Sequence, residues 1–170
     1  MNMGWVDIVI ACAFIFGVFL GLRRGLTKML PGFFEAVIAQ TVAIEYSKAS
    51  AEFINTGLKV VPVEFIHIAV FAVLAVCIII LVHFIFVFLM IVASVDFKAP
   101  FNNVGAALLG GIQAFLFAGL ITYFLALFPI PFIQETLNTK SISGPYTIES
   151  NQFVHDFFIK WLPVSWRVIK

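Results

Sequence analysis

FIHIAVFAVLAVCIIILVHFIFVFLMIVASV, residues 65–95, is a run of 31 residues with no Lys, Arg, Asp or Glu. As a helix at about 1.5 Å per residue it is roughly 46 Å long. The hydrocarbon core of a bilayer is about 30 Å thick. Such a helix must tilt, or project beyond the core at one end. The whole chain agrees with this stretch: of 170 residues, 62% are hydrophobic and 11% charged, and the mean hydropathy is +1.10. A soluble domain carries about 25% charged residues, and ten basic and nine acidic side chains could not cover a water-facing surface of this size. That excludes a soluble enzyme and a disordered chain. A net charge of +1 excludes a nucleic-acid binder, which needs a basic stripe.

Outward from residues 65–95, three more apolar segments are legible. The first covers 5–22 and ends in Arg23, Arg24 and Lys28; Trp5 fits the aromatic belt, and Asp7 lies just inside it, within reach of water. No basic residue precedes it, so it reads as a retained span and not a cleaved leader. The second, 29–43, is weaker. Pro31 stands near its start, and Glu35 and Gln40 would be costly against lipid. It either spans with its polar side against neighbours or lies partly in the interface. Residues 44–64, with Asn55-Thr56-Gly57 and Pro62, read as a polar loop with room for a short helix. The last span covers 104–128 and stops at Pro129 and Pro131.

The expectation is an all-α integral membrane protein with about four transmembrane helices plus a C-terminal amphipathic helix. The bundle occupies residues 1–133 and the tail 134–170. In the tail, Phe153, Val154, Phe157, Phe158, Trp161 and Leu162 mark one face of a helix at about 151–162. Too short to span, it should lie on the membrane surface or on another protein. Basic residues favour the links after the first and third spans by four to two, which places both termini outside the cytoplasm.

Two small-residue stripes stand out: Ala13, Gly17, Gly21 and Gly25, and Ala106, Gly110, Ala114 and Ala118, each at steps of four. Such stripes let helix backbones approach closely. They serve either the chain's own bundle or a second copy or partner. Arg23, Arg24 and Lys28 fix topology and could touch anionic lipid heads. Ionisable residues in or near spans are Asp7, Glu35, His67 and His83. Glu35 and His83 are the candidates for an ion or proton path. The plainer alternative has His83 neutral on a helix carbonyl and Glu35 near the interface. Cys12 and Cys77 sit apart in apolar runs and suggest no disulfide or metal. No G-x-S-x-G, H-E-x-x-H or nucleotide-cradling glycine loop occurs, and Ser94 lies 11 residues from His83, too far along one helix for a nucleophile–base pair. The expectation is no catalysis, no cofactor, no metal and no nucleotide or nucleic-acid partner.

Three elements resemble the colicin V production protein family. They are Trp5-Val6-Asp7-Ile8-Val9 followed by Gly21-Leu22-Arg23-Arg24-Gly25-Leu26; Asn103-Val104-Gly105-Ala106-Ala107-Leu108-Leu109-Gly110-Gly111; and Ser141-Ile142-Ser143-Gly144-Pro145-Tyr146. They occur in family order and cover most of residues 5–146. The resemblance implies a bacterial inner-membrane protein of about four helices, linked to toxin production or export and envelope homeostasis, with no catalytic residues to carry over. Ser141, Gly144 and Pro145 would shape a turn that docks the tail. The chain departs from the pattern at Asn102-Asn103, where an acidic–basic pair is common, and at Gln113, where a basic residue is common. Two readings remain: a non-enzymatic membrane protein acting through contacts with the lipid bilayer, itself and partners, and a small ion or proton channel or transporter subunit using Glu35 and His83.

Overall fold

Three apolar segments form long helices because in hydrocarbon the backbone has no other way to satisfy its hydrogen bonds. The computed structural model describes residues 4–58, 62–92 and 101–137, together with 141, 146, 147, 149, 153, 154 and 157. Helix α1 is Trp5–Arg24, α2 Leu26–Leu58, α3 Val63–Val92, α4 Phe101–Ala126, and a short α5 Pro131–Glu135. No strand occurs among the described residues. Three of the helices, α1, α3 and α4, are long and apolar enough to cross a membrane.

The helices stand in the order α1, α4, α2, α3, so α4 and α2 are central; α3 packs chiefly on α2 and reaches α4 through Phe71, whose ring lies 5.3 Å from that of Tyr123. The α1–α4 pair is antiparallel: Gly17 meets Gly110 and Gly21 meets Ala106. α2 runs parallel to α4, with Ala36 and Val37 against Leu116 and Ala43 against Leu120. It runs antiparallel to α3, with Ala43 against Phe71 and Ala75. The polarity is inverted relative to a soluble bundle. Val73, Ile80, Phe84 and Phe88 of α3 are exposed, whereas Glu35, Gln40, Thr41 and Ser47 of α2 are buried. Lipid solvates the first set, and the second needs the interior.

Residues 44–64 depart from the expectation of a loop, because α2 continues to Leu58. The reason is tertiary. Ala51 and Ser47 are buried, and the Ser47 hydroxyl lies 3.0 Å from His67 Nε2 on α3. The Asn55-Thr56-Gly57 signal therefore marks the helix's last turns, where the Thr56 hydroxyl donates to the Phe53 carbonyl at 2.6 Å. α2 also begins earlier than residue 29. Gly25, at φ 79° and ψ 162°, is the whole α1–α2 connection, in a backbone region that only glycine occupies readily. The Leu26 amide then donates to Asn102 Oδ1 of α4 at 2.7 Å, so a distant side chain supplies the cap that the local sequence lacks.

The expected tail helix at 151–162 lies outside the described residues except for Phe153, Val154 and Phe157, which are helical. Val154 packs on the Ala36, Val37 and Leu116 cluster beside Phe33 and Phe117. Gly144 and Pro145 lie outside the described residues.

Candidate functional site

Glu35 and His83, 48 residues apart, are in direct contact: His83 Nδ1 lies 2.9 Å from Glu35 Oε1. Glu35 is nine residues from the start of α2 and His83 nine from the end of α3. Those two ends lie together, so the pair sits about 13 Å along both helices from that end of the bundle. With Glu35 ionised the carboxylate can only accept, and the imidazole tautomer paired with it then carries its hydrogen on Nδ1. Phe34 and Phe86 stack beside the pair at 5.3 Å and 13°. The two side chains differ in surroundings. Glu35 is 11% exposed, but His83 is 59% exposed and turned outward from the bundle. The alternative in which His83 satisfies itself on its own helix is not what the structure shows. Among the described residues no group of three or more His, Cys, Asp or Glu side chains could hold a metal.

The two small-residue stripes face each other within this chain. A Cβ at Gly17 would strike the Gly110 carbonyl oxygen and the Ala114 Cβ, and one at Gly110 would strike Gly17 in return. At Gly21 it would overlap the Ala106 carbonyl. Ala118 packs with Val6, Ile10 and Leu137. Ala13 lies on the wall of a groove instead, and Gly25 forms the turn already described. Arg23, Arg24 and Lys28 cluster at this end of α1 and the start of α2. Arg23 lies over the Phe19 ring at 4.9 Å, and among the described residues the three form no ion pair.

Several polar contacts could not be read from the sequence. Asp7 is 8% exposed, a departure from the expectation that it reaches water. It accepts from the Gly4 amide at 2.7 Å and from the Ser141 hydroxyl at 2.8 Å. The first and last family-like elements thus meet across 134 residues. Gln113 presses on the Gly32 backbone, and its Oε1 is buried with no hydrogen-bond partner among the described residues. The departures at 102 and 113 therefore have structural employment: Asn102 caps α2, and Gln113 fills the space over Gly32.

A bundle with three apolar membrane-length helices, a lipid-facing apolar surface and polar groups turned inward defines a multi-pass α-helical membrane protein. Its sequence matches the family model described as Colicin V production protein over residues 6–152. The chain belongs to that family. No curated protein and no solved structure matches it.

Proposed function

We propose that this chain is a non-enzymatic inner-membrane protein of the colicin V production type that supports toxin export or envelope homeostasis through contacts with partner proteins. His83 carries the reading. It is exposed on the outer side of α3, and ionisable groups inside membranes ordinarily face a protein interior. A protein partner on the outer face of α3 would cover it. The small-residue stripes are already engaged within the chain, which leaves α3 as the free helix. In this reading α2, packed along α3, is the fourth span, and both termini lie outside the cytoplasm.

The test is complementation. Expression in a bacterium lacking its own colicin V production protein should restore secretion of the toxin. His83→Leu, which makes the face fully apolar, should abolish it with the protein still inserted. Unchanged secretion by His83→Leu would reject α3 as the partner surface.

The second reading, an ion or proton path, is favoured by the 2.9 Å Glu35–His83 contact. Purified protein in liposomes under a membrane potential decides it. Flux lost in both Glu35→Gln and His83→Ala supports conduction, and no flux from correctly inserted protein supports the partner reading.

A further inference from the structure

A groove of about 340 Å³ runs along the α1–α4 seam, from Val6 and Leu125 at one end to Arg24 at the other. Its walls are apolar, with Ala13, Phe16 and Ile121 among them. Phe16 and Ile121 are themselves exposed, so the groove opens sideways to the bilayer. Besides Arg24 its polar side chains are Gln113 and Thr122, and the Thr122 hydroxyl already donates to the Ala118 carbonyl at 2.8 Å. We propose that this groove is a binding site for one anionic glycerophospholipid, with an acyl chain along the α1–α4 seam and the phosphate at Arg24.

Shape and charge both select this occupant. From Val6 to Arg24 is 18 residues of α1, about 27 Å. An apolar groove of that length, open to lipid along one side, suits an extended hydrocarbon chain. Arg24 stands where the apolar wall ends, at the level of a headgroup. Lys28 and Arg23 lie close by in sequence, and among the described residues none of the three has a carboxylate partner. A guanidinium offers a fork of N–H donors that matches a phosphate. A zwitterionic lipid would fill the same groove but carry no net charge to the cluster. The site does not depend on the function proposed above.

The experiment is native mass spectrometry of the full chain from mixed micelles holding phosphatidylglycerol and phosphatidylcholine in equal amounts. One retained phosphatidylglycerol is expected. Arg24→Gln should reduce its preference over phosphatidylcholine by about fivefold, the effect of one cation beside an anionic head. Ala13→Phe should displace both lipids by filling the groove. Ile121→Trp serves the same end from the exposed wall if Ala13→Phe fails to fold. Equal retention of the two lipids by the unaltered protein would overturn the proposal. So would a preference unchanged in Arg24→Gln, or retention unchanged in the groove-filling variants. Absence of any retained lipid would do the same.

Discussion

Replacing Gly21 with alanine is expected to push α1 and α4 apart. The new Cβ would overlap the Ala106 carbonyl oxygen, with the carbonyl carbon at 2.7 Å and Ala107 Cα at 3.1 Å. All three are backbone atoms and cannot turn aside as a flexible side chain would. The helices must separate by about 1 Å there, and a gap of about 0.5–1 Å forfeits a quarter to a half of the dispersion attraction across it. Lipid tails are as apolar as the helices, so no hydrophobic drive between them compensates. Overpacking a close-packed interior costs about 1–3 kcal/mol. Removing glycine from a helix returns about 0.5–1 kcal/mol. From the midpoints of the two ranges the net loss is about 1.2 kcal/mol, or about eightfold in the folding equilibrium. Equilibrium unfolding in mixed micelles of dodecyl maltoside and dodecyl sulfate measures it. Gly57→Ala is the control, because a Cβ there meets nothing within 4 Å. It should be neutral or stabilising. A Gly21→Ala protein as stable as its parent, or a Gly57→Ala protein equally weakened, would refute the reasoning.

Three further outcomes follow from the polar contacts. Asn102→Ala should cost about 1 kcal/mol, the ordinary loss for a removed cap, and hydrogen exchange should quicken at the Leu26 amide, while Asn102→Asp should keep most of the protection. Ser141→Ala leaves the buried Asp7 one donor short, a loss of about 1–3 kcal/mol; limited proteolysis near residue 141 should accelerate, with the α2–α3 pairing unchanged. A double-mutant cycle with Glu35→Gln and His83→Ala should return a coupling of about 0.6–1.7 kcal/mol, the range of intramembrane hydrogen bonds. A coupling of zero would mean that the 2.9 Å contact does not persist in the bilayer.

Length and composition alone determined that this chain lives in a membrane. Unbroken apolarity over 65–95 leaves a helix across hydrocarbon as the only economical conformation, and the same holds for the helices now bounded as α1 and α4. The spacing of Gly17, Gly21, Ala106 and Gly110 was equally legible, because a step of four on a helix makes a stripe whatever surrounds it. Which stripe each one meets was not legible, since periodicity belongs to one helix and contact to two. α2 shows the limit most clearly. Residues 44–58 look polar and loop-like, and they are helical because Ser47 reaches His67 on a neighbouring helix. The cap of α2 comes from Asn102, 76 residues away, and the partner of Asp7 from Ser141, 134 residues away. Glu35 and His83 could be nominated from the cost of polar groups in lipid, but only the antiparallel register of α2 on α3 set them 2.9 Å apart. That register depends on side-chain packing along the whole length of both helices, which no local pattern encodes.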